Sequence, residues 1–391
     1  MKLSNRILDL AGGGDAWAVY FAAREMKAAG EDVIELSVGE HDFPTPKPIL
    51  DAMATAAYGG HTGYAEIPGV AALRAAIARR VSDSTGVATG PGNVLVTPGG
   101  QSALFAAHSA VLEPGETGLY IDPYYATYPG TIRAAGGVPI SVAARPEDGF
   151  RPNVRDIAEL AAQTRARSLL INTPNNPTGA IYGPDTLAAI GEVCTARDLW
   201  LISDEVYDAM VWTGRHVSPR SLPGLTERTL VVGSMSKSFA MTGSRVGWIV
   251  GPEEVIFHLS NLAIHTTYGV PGYIQDAAVF ALGAGAALES EVCAPFRRRR
   301  DLARALLDRQ NLVRSIPAEG AMYVLLDIRA TGLSGTDFAQ ALLDAERIAV
   351  MPGESFGQAA AGHVRVALTV DDDSLRDALT RLIEFAKSRA G

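Results

Sequence analysis

The sequence predicts an α/β fold with two parts: a large domain built on a mostly parallel seven-stranded sheet covered by helices, and a smaller α+β domain. Short apolar runs rich in β-branched residues recur through the middle of the chain, and Ala-rich stretches with helical spacing separate most of them. Strands that are apolar throughout are typical of a parallel sheet with both faces covered. The pattern changes after residue 251, which predicts the smaller domain.

The strands and helices of the large domain follow from these runs. The predicted strands are 93–96, 118–121, 138–142, 168–172, 199–203, 229–233 and 247–251. Helical spacing is clearest at 101–112 and 184–198, each between two strands. The last two strands have only a loop between them, which predicts an antiparallel or edge strand there.

The remaining chain predicts the smaller domain. A helical block extends to residue 283, and an Arg-rich helix, three strand-like runs and a C-terminal helix follow. We expect an N-terminal piece of the small domain at 1–43, the large domain at 44–283 and the C-terminal piece at 284–391. The RRRR run at 297–300 is either an anion site or a helix face that is solvated or lies between the domains, and the second is the commoner arrangement.

The composition limits the functional classes. The 391 residues are 47% hydrophobic and 20% charged, with a net charge of −9, which fits an enzyme and argues against a nucleic-acid-binding surface. Two cysteines cannot form a disulfide framework, the N-terminus lacks the apolar region of a signal peptide, and no apolar run reaches 18 residues. We expect a cytoplasmic protein that contacts neither nucleic acid nor membrane.

One lysine is unusual in this sequence. Only five of the 34 basic residues are lysines, and Lys237 is the one lysine between Lys47 and Lys387. It follows the strand at 229–233, in the stretch GSMSKSFAMTGSRVGWIVG. A desolvated lysine can lose its proton and attack a carbonyl group, which arginine cannot do. Lys237 is therefore either an ordinary surface residue or a nucleophile, and its surroundings decide between the two.

Polar residues follow several predicted strands, and the carboxyl ends of parallel strands form the usual ligand site. Gly100 and Gln101 begin a helix, where free N–H groups suit a phosphate, although such glycines also serve as simple turns. Asp204 ends an apolar run three residues before Tyr207, and its carboxylate is either an N-cap or a functional acid. Asn176 in INTPNNPTG could belong only to a turn.

The residues around Lys237 complete this set. Ser234, Ser236 and Arg245 are phosphate partners of the usual type, since a guanidinium binds phosphate with two parallel hydrogen bonds. A phosphate cradle, a carboxylate for a ring nitrogen, a hydroxyl donor and a nucleophilic lysine together suit pyridoxal 5′-phosphate. The sequence predicts that cofactor and no metal site.

These residues resemble those of the class I/II pyridoxal-phosphate-dependent aminotransferases, which have the type I or aspartate aminotransferase fold. The resemblance extends from LSVGEHDFPTP to VRVALT, and SMSKSFAMTGSRVGW is its most specific motif. It implies transfer of an amino group from an L-amino acid to a 2-oxo acid, pyruvate or 2-oxoglutarate, by a ping-pong mechanism. The same fold also serves β-lyases, cyclopropane-forming synthases, decarboxylases and the effector domains of some transcription regulators.

The resemblance implies a role for each matching residue. The residues at the cofactor would be Tyr64, Gly100, Gln101, Tyr125, Asn176, Asp204, Tyr207, Ser234, Ser236, Lys237 and Arg245, and those at the substrate Gly39, Asn176 and Arg365. Lys237 would bind the aldehyde and act as the base, Asp204 would keep the ring nitrogen protonated, and Tyr207 would bond O3′. Tyr125 would stack on the ring, while Tyr64 would reach the phosphate of a neighbouring subunit in a homodimer.

The side-chain specificity is less determined. His41 stands where the family usually has proline, and it is either a surface loop residue or faces the substrate side chain. No arginine or lysine occurs between Arg245 and Arg297, where dicarboxylate-specific relatives take an arginine from the partner subunit. This region offers His265, Tyr268 and Tyr273 instead. Several stretches, including NLAIHTTYGVPGYIQDAA, are most similar to bacterial arginine–pyruvate transaminases, which implies arginine or another large or basic amino acid as donor.

Overall fold

The computed structural model describes residues 1–10 and 17–390. Residues 11–16, which belong to the predicted N-terminal piece 1–43, and residue 391 lie outside the described residues. The strands are β1 (Ile34–Leu36), β2 (Val94–Thr97), β3 (Thr117–Asp122), β4 (Val138–Ala143), β5 (Ser168–Asn172), β6 (Trp200–Asp204), β7 (Thr229–Ser234), β8 (Gly247–Val250), β9 (Arg314–Ser315), β10 (Tyr323–Asp327), β11 (Ile348–Pro352) and β12 (His363–Ala367).

The helices alternate with the strands of the large sheet and then cover the small one. They are α1 (Asn5–Leu8), α2 (Ala18–Ala28), α3 (Lys47–Tyr58), α4 (Ala71–Thr85), α5 (Gly99–Val111), α6 (Tyr128–Ala134), α7 (Val154–Thr164), α8 (Pro184–Ala196), α9 (Glu253–Ile264), α10 (Gly272–Ala284), α11 (Ala286–Leu307), α12 (Gly335–Glu346) and α13 (Asp372–Arg389).

The large sheet has the strand order β2-β8-β7-β6-β5-β3-β4, and this arrangement confirms the predicted fold class. All neighbours are parallel except β8, which is antiparallel to β2 and to β7. The antiparallel strand at 247–251 was expected, but it lies inside the sheet. Because β8 returns directly from β7, β2 pairs with its other side and forms the edge.

Helices cover both faces of this sheet, which explains why its strands are apolar throughout. Leu169 and Leu201 point to the face packed by α7 and α8. Leu170 and Ile202, one residue further along each strand, point to the opposite face with α5 and α9. Successive side chains of a strand alternate between faces, so both sets must be apolar to be buried.

The small domain combines the N-terminal segment with the C-terminal third of the chain. Its sheet has the order β1-β11-β12-β10-β9, and β1 pairs in parallel with β11. Side chains from α2, α11, α12 and α13 share one hydrophobic core with this sheet. We propose domain boundaries near residues 43 and 284. The chain bends by 89° between α10 and α11, which supports the second boundary.

The Arg-rich run at 297–300 ties the small domain together. Arg299 is buried and binds the Asp42 carboxylate through both terminal nitrogens, at 2.8 and 2.7 Å. Arg298 contacts Asp372 at the start of α13. Arg297 donates to the Val211 carbonyl oxygen of the large domain at 2.9 Å, so the run forms a helix face with contacts mainly inside the small domain and one to the large domain. The Asp42 contact fixes the loop that carries Gly39 and His41.

Two further sequence expectations concern the environment of the protein. Cys194 and Cys293 are both free and buried. Within the described ranges, no single helix is long and apolar enough to cross a membrane, and only α10 and α11 taken together, bent by 89°, meet that criterion. The cytoplasmic location stays a prediction.

One close backbone approach leads to a testable prediction. A Cβ atom at Gly247 would lie 2.6 Å from the Gly99 carbonyl carbon and 2.7 Å from the Gly100 nitrogen, which are backbone atoms at the start of α5. We expect Gly247→Ala to lower the midpoint of thermal unfolding by about 4 °C or more. The new methyl group would clash with main-chain atoms of α5, which cannot move aside as a flexible side chain can. Gly243→Ala is the control, since a Cβ there meets nothing within 4 Å. Equal midpoints for the two variants would contradict the prediction.

Candidate active site

A cavity of about 300 Å³ at the carboxyl edge of the large sheet contains nearly all of the predicted site residues. The predicted residues that line it are Gly39, Gly100, Gln101, Tyr125, Asn176, Asp204, Tyr207, Ser234, Ser236, Lys237, Arg245 and Arg365. They come from both domains, because Gly39 follows β1 and Arg365 lies in β12. Tyr64 is the one predicted residue that does not line this cavity.

The register of the sheet explains why these residues meet. Asn172 pairs with Asp204 at the ends of β5 and β6. Ser234, at the end of β7, pairs with Gly247, and Gly247 pairs with Thr97 on the other side. The strand ends therefore form adjacent positions along one edge, where ligands bind in open parallel sheets.

The start of α5 and the loop after β7 form an anion cradle. α5 begins two residues after β2, and the first N–H groups of a helix lack intrahelical partners. A Cβ atom at Gly99 would lie 2.2 Å from Nη2 of Arg245, so only glycine allows this guanidinium to approach. Ser234 and Ser236 flank the cradle, and the Ser236 N–H donates to Oγ of Ser234 at 3.0 Å.

Gln101 contributes to this cradle through its backbone position. Its side chain is already engaged, because Nε2 donates to Thr131 Oγ1 at 2.7 Å and Oε1 accepts from Thr127 Oγ1 at 2.9 Å. These bonds join α5 to α6. The N–H at the first turn of α5 is the part of Gln101 that suits an anion.

Asp204 is held as a buried acid at the base of the cavity. The Tyr128 hydroxyl donates to Oδ2 at 2.6 Å, and the N–H of Val206 donates to Oδ1 at 3.3 Å. Burial raises the pKa of Asp204 to about 6, while the hydrogen bonds from Tyr128 and Val206 lower it. Of the two interpretations of this carboxylate, the functional acid is favoured, since no α-helix starts directly after β6.

Lys237 points across the cavity toward the small domain. Its Nζ donates to the Gly39 carbonyl oxygen at 2.5 Å and lies 6.0 Å from the centre of the Tyr207 ring. Tyr207 and Tyr323 share a hydroxyl–hydroxyl hydrogen bond of 3.0 Å, and burial raises the pKa of Tyr207 well above its usual value. A Cβ atom at Gly39 would lie 1.8 Å from the Tyr323 hydroxyl, so this position requires glycine.

Arg365 is a buried cation that pairs with no carboxylate among the described residues. Its Nη1 donates to Asn176 Oδ1 at 2.8 Å and its Nη2 donates to the Ser37 carbonyl oxygen, while Nε has no partner. The guanidinium carbon lies 4.2 Å from the Tyr323 ring centre and 4.3 Å from that of Phe356. Burial lowers the pKa of Arg365. A carboxylate ligand would supply the missing opposite charge.

Three tyrosines occupy different surroundings. Tyr125 lines the cavity, and its ring centre lies 5.8 Å from that of Tyr128. Tyr64 is 91% exposed and packs edge-on against Tyr268, with ring centres 5.2 Å apart. A residue that serves a neighbouring subunit must be exposed on the single chain, so the predicted role of Tyr64 stays a prediction.

His41 is half-buried in the loop that follows β1. Its ring packs edge-on against Phe43 and Phe296, with centres 5.2 and 5.1 Å away. Both ring nitrogens are buried without a hydrogen-bond partner, and His41 does not line the cavity. Burial, helped by nearby Lys237, lowers the pKa of His41 to about 4. The residue is a neutral part of the packing behind Lys237.

Sequence reasoning missed several polar or aromatic residues that line the cavity, among them Glu40. Tyr128 and Tyr323 bond the proposed catalytic groups, while Asn172 links two of them: its Nδ2 donates to the Asp204 carbonyl oxygen at 2.9 Å, and its Oδ1 accepts from the Asn176 N–H at 2.8 Å. Trp17 also lines the cavity. A polar residue at the end of the strand SLLIN was a usable signal for Asn172, whereas the others depend on contacts between distant segments.

The family model described as aminotransferase class I and II matches residues 31–382. The chain belongs to the class I and II aminotransferases. This enzyme family depends on pyridoxal 5′-phosphate, and the chain is accordingly an aminotransferase. Lys237, in the loop after β7, and Arg365, in β12, were both matched to this family from the sequence, and both line the cavity.

Relatives of this aminotransferase are similar along their whole length. The arginine–pyruvate transaminase AruH of Pseudomonas aeruginosa is 42% identical over 392 residues, covering 100% of both chains. The aspartate/prephenate aminotransferase of Thermus thermophilus is 37% identical, covering 93% of this chain and 94% of that protein. The solved structure of the Thermus thermophilus aspartate aminotransferase with maleate has a TM-score of 0.92 and 35% identity, covering 98% and 100% of the two chains.

The buried carboxylate of Asp204 leads to a prediction for the aminotransferase without cofactor. A pKa of about 6, raised from 3.8, means that ionising Asp204 costs about 3 kcal/mol of stability once the pH is well above 6. We expect Asp204→Asn to be more stable than the wild type at pH 8. The difference should shrink as the pH falls through 6 toward 4, because the wild-type carboxyl is then neutral.

Thermal unfolding from pH 5 to pH 8 measures this difference. The control is Asp198→Asn, since the Asp198 side chain is 83% exposed and should show no such dependence. An Asp204→Asn variant that is less stable than the wild type by the same amount at every pH would contradict the prediction.

Proposed function

We propose that this aminotransferase uses pyridoxal 5′-phosphate in the cavity to move the amino group of an L-amino acid to a 2-oxo acid, pyruvate or 2-oxoglutarate. The donor would leave as its oxo acid before the acceptor binds, in a ping-pong sequence. One observation carries the proposal: Lys237 and the carboxylate-free guanidinium of Arg365 line the same cavity. The first can bind an aldehyde, and the second can bind a substrate carboxylate.

The cavity residues fit the cofactor. The start of α5, Ser234, Ser236 and Arg245 would hold its phosphate, and the absence of a side chain at Gly99 leaves the space in which Arg245 lies. Tyr125 offers a ring for stacking. The cavity volume of about 300 Å³ suits a small cofactor and part of an amino acid.

The bound cofactor would supply an electron sink for the electrons of the substrate Cα–H bond. Asp204 would hold a proton on the ring nitrogen, and this pairing would also remove the cost of its buried charge. Tyr207 and Asn176 would donate hydrogen bonds toward O3′, since both line the cavity beside Lys237. Tyr128 keeps the Asp204 carboxylate oriented through its 2.6 Å bond.

Two residues would act on the substrate. Arg365 would hold the α-carboxylate with its guanidinium group. The rings of Tyr323 and Phe356 pack against that group and restrict its orientation. Lys237 would then move the proton away from Cα through its Nζ. The Gly39 carbonyl, which accepts from Nζ at 2.5 Å, lies beside both groups and marks the small-domain side of the substrate site.

We propose a homodimer in which Tyr64 of one subunit reaches the phosphate site of the other. The support is the exposure of Tyr64 and of Tyr268, which is 52% exposed and packs against it. Exposed aromatic side chains that contact each other are typical of interfaces.

For the amino donor we propose arginine or another large or basic amino acid. The relative with 42% identity is named for arginine and pyruvate. The cations that line the cavity in the described part of the chain are Lys237, Arg245 and Arg365. They are already proposed to bind the aldehyde, the phosphate and the substrate α-carboxylate, so none is left for an acidic substrate side chain. Glu40 lines the cavity with an exposed carboxylate that suits a cationic side chain.

A substitution of Lys237 tests the reaction. We expect Lys237→Ala and Lys237→Arg to lower kcat at least about a thousandfold, because neither side chain supplies a neutral amine. The visible absorbance of lysine-bound cofactor should disappear in both. The control is Lys47→Ala, since the Lys47 side chain is 82% exposed. Ordinary transamination by Lys237→Ala would refute the assignment.

A screen of the twenty amino acids identifies the donor. Each is added without an oxo acid, and loss of the visible cofactor band reports the half-reaction. We expect arginine to react faster than aspartate, and Glu40→Gln to lower the rate with arginine about tenfold while that with alanine changes little. A preference for aspartate would contradict the proposed donor, and release of pyruvate and ammonia from a cysteine conjugate would indicate a β-lyase.

A further inference from the structure

Asp122 is a buried carboxylate that the proposed chemistry does not use. It ends β3, is 5% exposed and forms no ion pair within the described part of the chain. Burial raises the pKa of Asp122 to about 6, although hydrogen bonds from the N–H groups of Ala359 and Gln358 lower it. An unpaired buried carboxylate costs stability, so its hydrogen-bond partners are informative.

Those partners belong to the other domain. Oδ1 of Asp122 accepts from the N–H of Ala359 at 3.3 Å, and Ala359 lies in the small-domain loop between β11 and β12. Two residues earlier, Gly357 has a φ of +114°, and a Cβ atom there would lie 2.0 Å from Oδ1 of Asp122. The N–H of Tyr124 also donates to the Phe356 carbonyl oxygen at 2.8 Å.

The same loop carries one wall of the Arg365 site. Phe356 is 1% exposed, and its ring centre lies 4.3 Å from the guanidinium carbon of Arg365. Arg365 follows in β12, directly after this loop. The carboxylate of the large domain therefore fixes the backbone next to the ring that orients the guanidinium.

We propose that Asp122 is a positioning residue for substrate binding, which holds the loop at 356–360 so that Phe356 stays packed on Arg365. The inference rests on the proposed role of Arg365 as the site of the substrate carboxylate. Asp122 touches neither the substrate site nor the cofactor site, since it does not line the cavity. It acts through Phe356, and its loss should weaken substrate binding without changing the chemistry at Lys237.

The test compares the steady-state kinetics of holoenzyme variants. We expect Asp122→Ala to raise KM for the amino donor and for the oxo acid about tenfold, with kcat and the dissociation constant of pyridoxal 5′-phosphate changed less than about twofold. Asp122→Asn should recover part of the effect, because its carboxamide oxygen still accepts from Ala359. Glu147→Ala is the control, since Glu147 is an exposed large-domain carboxylate 3.7 Å from Arg329 of the small domain.

Hydrogen exchange provides a readout that does not require activity. Peptides that cover residues 353–362 should exchange faster in Asp122→Ala than in the wild type, and as slowly as the wild type in Glu147→Ala. Unchanged KM values would overturn the proposal, and so would a rise in KM accompanied by equally large falls in kcat and cofactor affinity. Unchanged exchange would overturn it as well. A wild type without transaminase activity would refute the proposed function, and the exchange result would still decide whether Asp122 holds this loop.

Discussion

The buried guanidinium of Arg365 is the constraint on which the rest of the cavity depends. A cation taken out of water is costly unless polar groups or opposite charges surround it. In the described part of this aminotransferase the surroundings consist of Asn176, the Ser37 carbonyl and the faces of two aromatic rings, with no carboxylate. The fold thus holds a charge whose full compensation has to come from a ligand.

This constraint also joins the two domains. Asn176 receives a hydrogen bond from Arg365 of the small domain, and its own N–H donates to Asn172 at the end of β5. Asn172 in turn donates to the backbone of Asp204 at the end of β6. A continuous set of hydrogen bonds therefore runs from Arg365 to Asp204 at the base of the cavity. The register of β5 against β6 fixes only the last step, the pairing of Asn172 with Asp204.

The sequence was sufficient for the fold class and for the strand positions. When helices cover both faces of a parallel sheet, each strand must be apolar throughout, and each one can then be recognised in the sequence as a separate apolar run. It was also sufficient for the residues at strand ends, such as Asp204 and Lys237, whose positions follow from the strand bounds. It was not sufficient for Tyr323 or Asp122, since their partners are distant in the chain and depend on how the domains pack. The packing of His41 could not be predicted for the same reason: the phenylalanine of α11 that contacts it is more than 250 residues away.

The antiparallel placement of β8 has a consequence for the proposed cofactor site. Because β7 returns directly into β8, the loop between Ser234 and Gly247 carries both Lys237 and Arg245. The groups proposed to bind the aldehyde and the phosphate are therefore parts of one hairpin. A shift of this hairpin would move both groups together. In the proposed function, the two ends of the cofactor would be held by one continuous segment of the chain.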